Sequence, residues 1–278
     1  MTTIHPLLTP SHYRFIDQSE LGPDFSPLHS FAADDALSIS VGNHTSPTTA
    51  RIWVHDKTVV LGIPDARLPY ISEAVDYLES ENYRVIVRNS GGLAVLLDEG
   101  VLNLSLIFPD SKEVNIHEGY NAMVDFTRYV FRDVTNDIEA YEIPDSYCPG
   151  TYDLSINGKK FAGISQRRVK QGSAVQIYLD VTGSGKERAR ILKRFYEIGK
   201  KEAATRFEYP EINPEVMASM NELLGKNWTV RDVRNRILSA LQELSGELTS
   251  YSLNEDEHKD FEKRLAHMID RNHKALRA

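Results

Sequence analysis

The dipeptide Asn157-Gly158 constrains this chain more than any other feature. Asn and Gly both tolerate the left-handed backbone that a two-residue hairpin turn demands. The β-rich runs on either side, 152–156 and 159–164, are therefore expected to fold back on each other as antiparallel neighbours. Further on, Val175, Ile177, Leu179 and Val181 alternate with Gln176, Tyr178 and Asp180, which predicts a strand with one buried face.

Two other β-rich pairs precede this hairpin. Runs 51–55 and 58–63 flank Asp56-Lys57, and runs 93–97 and 101–108 flank Asp98-Glu99-Gly100, so each pair is expected to form a hairpin. Helical spacing marks 26–41, where Leu28, Ala32, Ala36 and Ile39 share a face with Asp34 opposite, and it marks 69–82, which leads into a strand at 83–89. An amphipathic helix is predicted over 115–135, carried by Ile116, Tyr120, Met123, Val130 and Val134. Segment 142–150 holds two prolines and a glycine that neither helix nor inner strand accommodates, so it is a loop. From Lys186 helices take over. One carries Ile191, Phe195 and Ile198; another opens at Thr229 with Asp232 three residues on, a capping pattern; a charged helix over 254–272 closes the chain. A length of 278 residues suits one or two units. The expected division is a catalytic domain over 1–246 and a C-terminal helical extension over 247–278.

Composition narrows the partners. With 32 Lys and Arg against 40 Asp and Glu, the net charge of −8 leaves no surplus cation for a run of phosphates, which argues against nucleic acid. Neither a secretion leader nor a bilayer-spanning apolar stretch is legible, so a cytoplasmic address and no membrane partner are expected. The single cysteine, Cys148, has no disulfide partner within the chain, and the nine histidines lack metal-ligand spacing. No metal and no cofactor are expected.

Any sulfur chemistry falls on Cys148. Most lone cysteines are small buried hydrophobes, but this one sits in a Pro/Gly loop beside Asp145 and Ser146. A reactive thiolate needs a neighbouring cation, and the adjacent hairpin offers Lys159 and Lys160, of which only one faces a given side. Solvated decoration is the competing reading for both lysines. Arg88-Asn89-Ser90-Gly91-Gly92 reads either as a simple chain reversal or as a place where backbone N–H groups approach a ligand. Gly183-Ser184-Gly185-Lys186 is not a phosphate loop, because Asp180 stands where that pattern needs glycine and Glu187 where it needs Ser or Thr. Gln166-Arg167-Arg168-Val169-Lys170 is a small basic cluster, either solvated or suited to an acidic partner.

Arg51-Ile52-Trp53-Val54 with 59–62, then 88–95, then the run from Asp153 to Gly163 through Lys159-Lys160 resemble, in order and spacing, the lipoate-protein ligase and octanoyltransferase family. Ser146-Tyr147-Cys148-Pro149-Gly150 and Gly163-Ile164-Ser165-Gln166-Arg167-Arg168 are similar to its branch that moves octanoyl groups from the glycine cleavage H protein to other proteins. The resemblance implies an α+β fold of the biotin/lipoate ligase type, with a mixed, mostly antiparallel sheet, flanking helices and a tunnel for a medium-length acyl chain. It implies that Cys148 carries the chain as a thioester and that Lys160 is catalytic. Arg88, Ser90, Gly91, Gly92 and Gly163 are then substrate-binding, with lipoyl domains of 2-oxoacid dehydrogenase subunits as acceptors. Leu93 stands where many members carry a third glycine and Leu97 where many carry histidine. Both departures count against adenylate binding and favour a transferase over an ATP-using ligase. A transferase fed by acyl carrier protein and a non-catalytic lipoyl-domain binder stay open.

Overall fold

A computed structural model of the chain describes residues 4–110 and 115–276. Residues 1–3, the start of the N-terminal segment, residues 111–114, and residues 277–278, the tail of the C-terminal extension, lie outside the described residues. The elements run β1 His12–Gln18, α1 Pro27–Gly42, β2 Thr48–Trp53, β3 Thr58–Leu61, α2 Ile71–Ser80, β4 Arg84–Val87, β5 Val95–Leu97 and β6 Val101–Pro109. They continue with α3 Ile116–Phe131, β7 Glu139–Ala140, β8 Leu154–Ile156, β9 Lys159–Val169, β10 Gly172–Asp180, α4 Gly185–Lys200, α5 Met220–Leu224, α6 Val230–Leu244, β11 Glu247–Ser250 and α7 Glu255–Leu276.

Asn157 (φ 52°) and Gly158 (φ 72°) both take the left-handed backbone, and Ile156 faces Lys159 across the turn. The hairpin they make, β8–β9, joins a mixed sheet ordered β11-β1-β2-β6-β10-β9-β8-β7. Its β11–β1–β2 edge is parallel and the remainder antiparallel. A second sheet, ordered β4-β3-β5, packs with α2 and α4 into a separate apolar cluster. The fold is α+β, as expected.

The other two predicted hairpins do not form. β2 lies in the large sheet and β3 in the small one, so the chain crosses between sheets at Asp56-Lys57. Burial explains why: β3 is covered on both faces, and His55, just before the crossing, is held by Ser30 Oγ at 2.9 Å and stacked on Phe25. The return crossing is Asp98-Glu99-Gly100. A tight turn is present, with Val101 N–H donating to the Asp98 carbonyl, but Asp98 is tied to Arg188 of α4 and the flanking strands diverge into different sheets. These two crossings set the sheets side by side.

Helix α1 is also more buried than its spacing predicts. Asp34, expected on a polar face, is enclosed and accepts from Arg51 Nε (2.9 Å), Ser105 Oγ (2.7 Å) and Gln176 Nε2 (2.6 Å). Helix α7 packs along α1, and its Glu257 forms a buried two-point pair with Arg14 of β1. Within 247–278, four residues make β11, paired in parallel with β1. Thr229 and Asp232 form the capping box of α6 that their spacing predicts.

Candidate active site

Where the small sheet stands against β2, β6, β9 and β10, a cavity of about 430 Å³ opens. Its deep wall is apolar: Phe31, Trp53, Val60, Val95 and Leu97 are each at most 4% exposed. Cys148 lines it, together with Arg88, Gly91, Gly92 and Gly163. Ser90 and Lys160 are buried and are not among the described residues of the lining.

The cysteine sits at φ 48°, a region that L residues other than Asn and Asp seldom occupy, so its loop must be held from outside. Lys160 holds it. Its fully buried ammonium donates to the carbonyls of Tyr147 (2.9 Å) and Cys148 (2.9 Å) and to Ser146 Oγ (3.1 Å), and it pairs with Asp153 Oδ1 at 2.9 Å. An ammonium has three N–H donors, so four acceptors at these distances saturate it. Asp153 Oδ2 in turn accepts from Ile143 N–H and Gly150 N–H, both at 3.2 Å, which closes the loop at both ends. Burial pushes the Asp153 carboxyl up, and the Lys160 ammonium opposes it. Strand alternation places Lys159 outward and Lys160 inward, so the reading of solvated decoration holds for Lys159 alone.

The sulfur itself meets the glycine segment. Leu93 N–H donates to Cys148 Sγ at 3.1 Å and Arg88 Nη2 approaches it at 3.5 Å while donating to the Leu93 carbonyl at 2.7 Å. A side chain at Gly92 (φ 97°) would meet Arg88 Nη2 at 2.4 Å and Cys148 Sγ at 3.0 Å, so glycine is required there. At Gly163, a side chain would strike the Tyr178 ring at 2.8 Å. By contrast, nothing crowds Gly91.

Two residues absent from the sequence reading anchor the glycine segment. Tyr196 OH accepts from Ala94 N–H (3.1 Å) and donates to Asp65 Oδ1 (2.9 Å), while Asp65 Oδ2 accepts from Gly62 N–H (2.7 Å). Burial pushes the Asp65 carboxyl up to about 6. No local pattern marks this pair, since 131 residues separate its members. The two arginines of the basic cluster face carboxylates of the same chain: Arg167 pairs with Asp35 and Arg168 with Asp110, each at 3.0 Å. Ser184, from the discarded phosphate-loop pattern, caps α4.

Comparison with known proteins agrees with this architecture. The lipoyl protein ligase A/B catalytic domain matches residues 26–242. Octanoyl-[GcvH]:protein N-octanoyltransferase of Bacillus velezensis is 55% identical over 273 residues, covering 97% of this chain and 95% of that protein. Its namesake from Oceanobacillus iheyensis is 53% identical over 264 residues, 94% of this chain and 95% of that protein. Lipoyl-[GcvH]:protein N-lipoyltransferase of Listeria monocytogenes is 45% identical over 277 residues, 99% of this chain and 100% of that protein. Among solved structures, lipoate-protein ligase A bound with ATP aligns at TM-score 0.72 and 17% identity, covering 96% of this chain and 98% of that one, a likeness of fold alone. No helix among the described residues is long and apolar enough to cross a membrane. With two sheets enclosing an apolar cavity, relatives matched nearly end to end and a family domain spanning most of its length, the chain belongs to the lipoyl protein ligase A/B catalytic-domain family.

Proposed function

We propose that this chain is an acyltransferase that moves an octanoyl group from a lysine of the glycine cleavage H protein to the lipoyl-domain lysine of 2-oxoacid dehydrogenase subunits, without ATP, through a thioester on Cys148. The observation that carries this reading is the position of the sulfur. It borders an apolar cavity suited to an alkyl chain, and a backbone N–H and a guanidinium are directed at it. The names of relatives about half identical to it support the donor.

Sγ attacks the amide carbonyl carbon; the S–C bond forms as the C–N bond to the donor lysine breaks, and the acceptor lysine later reverses the exchange. Dividing the transfer in two replaces one difficult protein-to-protein encounter with two simpler ones. One amide replaces another, so the overall reaction is close to thermoneutral and needs no nucleotide. The alkyl chain occupies the wall of Val60, Val95 and Leu97, where the apolar Leu97 suits it better than an adenylate. The ammonium of Lys160 is taken up by the loop carbonyls, Ser146 and Asp153, so in this reading Lys160 positions the nucleophile. Polarising the acyl carbonyl falls to Arg88 and the Leu93 N–H.

Incubating the protein with octanoylated H protein and an unmodified lipoyl domain tests the reading. Octanoyl should appear on the lipoyl domain at the same rate with and without ATP. Modification from free octanoate and ATP alone would identify a ligase instead. The Listeria relative bears a lipoyl name, so lipoylated H protein serves as a parallel donor and the ratio of rates ranks the two groups.

A further inference from the structure

Cys148 and the donors that meet it belong to different sheets. The Cys148 loop lies between β7 and β8 of the large sheet, whereas Arg88 and Leu93 lie on the segment that joins β4 to β5 of the small one. Contacts of 3.1 and 3.5 Å across that boundary require a fixed spacing between the sheets, because hydrogen bonds weaken steeply when misplaced. The two chain crossings do not supply it alone. Both lie at one end of the small sheet: Thr58, which follows the first, pairs with Arg84 and with Leu97, which precedes the second. Arg88 stands about 13 Å farther along the strand direction, at the opposite end, where the crossings leave the small sheet free to pivot.

Helix α7 carries a tie at each end. Near its start, the buried Glu257 accepts from Arg14 of β1 (3.0 and 3.1 Å), Ser40 Oγ of α1 (2.6 Å) and Ser46 Oγ (2.8 Å), all on the large-sheet side. About 22 Å along the helix comes Asn272, which grips the small sheet. Its Oδ1 accepts from Val87 N–H at 2.7 Å and its Nδ2 donates to the Val87 carbonyl at 3.0 Å. Because β4 is an edge strand, these two backbone groups have no neighbouring strand, and a primary amide satisfies both as a strand would. Nδ2 also donates to the Met268 carbonyl one turn back at 2.9 Å, which fixes the side chain.

We propose that Asn272 is a positioning residue for the transfer: α7 is a strap that holds the Arg88 end of the small sheet at a set distance from the large one, and so keeps Arg88 and the Leu93 N–H on Cys148. Val87 directly precedes Arg88, whose own N–H donates to the Leu61 carbonyl at 3.0 Å, so this stretch of backbone is held on both sides. Asn272 is not among the described residues of the cavity lining, so it acts through Arg88. The inference rests on the thioester reading above.

A double-mutant cycle tests the strap. Acylation of Cys148 is timed by intact mass with octanoylated H protein and, separately, with p-nitrophenyl octanoate. The forms compared are the wild type, Asn272→Leu, Arg88→Met and the two combined, each below its unfolding temperature. Asn272→Leu should slow acylation at saturating donor about 10-fold, part of what Arg88→Met costs, while the half-saturating donor concentration moves less than about 2-fold. In the Arg88→Met background the same substitution should cost about 3-fold or less, because residues that act through one another do not add. Equal factors in both backgrounds would mean that Asn272 serves stability alone, and that result, or no slowing at all, overturns the proposal. Glu257→Gln loosens the other end of α7 without touching the small sheet; it should show the same coupling to Arg88, and it decides the matter if Asn272→Leu does not fold. Coupling seen with the ester while octanoylated H protein acylates no form would leave the strap standing and sink the donor reading alone. If neither donor acylates the wild type, the thioester reading fails and the strap falls with it.

Discussion

Two buried carboxyl groups brace the two walls that meet at Cys148, and among the described residues only one of them has a cation in contact. On the loop side Asp153 faces the Lys160 ammonium at 2.9 Å. On the glycine side Asp65 faces neutral donors, Gly62 N–H and Tyr196 OH. The pairing decides what each wall does. A charge-matched brace keeps the Cys148 loop in its left-handed turn and spends every ammonium proton on it. The unmatched brace sits under a segment that turns two donors, Leu93 N–H and the Arg88 guanidinium, toward the sulfur.

Breaking the matched side should have the largest effect. Lys160→Met strands the Asp153 carboxylate and frees the carbonyls of Tyr147 and Cys148, so chemical denaturation should show a loss of about 3–5 kcal/mol. A loss below about 1 kcal/mol would mean that the surroundings reorganise around the vacancy.

The unmatched side should respond to pH instead. The Asp65 carboxyl, ordinarily at 3.8, is pushed up to about 6 in the folded chain, so the fold binds its proton more tightly than the unfolded chain does. That contribution is fully present below 3.8 and disappears as the pH rises through about 6. Asp65→Asn cannot titrate, so its stability relative to the wild type should improve by about 2 kcal/mol between pH 4 and pH 7.5. A pH-independent difference would contradict the contrast between the two carboxyls.

Arg88→Met tests the donors on the sulfur. Hydrogen bonds from charged groups are worth about 1.5–3 kcal/mol, so acylation of Cys148 should slow by roughly 10- to 100-fold. Smallest is Tyr196→Phe, which leaves Ala94 N–H and one Asp65 oxygen without their partner and should lower stability by about 1–2 kcal/mol.

What the sequence discloses follows the same division. The loop wall is largely local: the Asn157-Gly158 turn aligns Ser155 with Lys160, and strand alternation turns Lys160 inward within reach of Asp153. The glycine wall is not. Its Arg88-to-Gly92 motif is visible, but the residues that hold it come from Asp65 and from Tyr196 on α4, and no spacing rule joins them. The two mistaken hairpins share this cause, because Asp56-Lys57 and Asp98-Glu99-Gly100 look like turns locally while the choice of sheet depends on distant strands. Strands β1 and β11 escape detection because they pair in parallel across more than two hundred residues, without a turn to announce them. The helices were easier, since period and capping residues are local properties, as at Thr229 and Asp232.

The most direct measurement is the mass of the intact protein after mixing with octanoylated H protein alone, with neither ATP nor acceptor. A gain of one octanoyl group, removed by hydroxylamine and absent in Cys148→Ala, is the predicted result. An unchanged mass in a preparation that still passes octanoyl groups to lipoyl domains would mean that the transfer bypasses the sulfur.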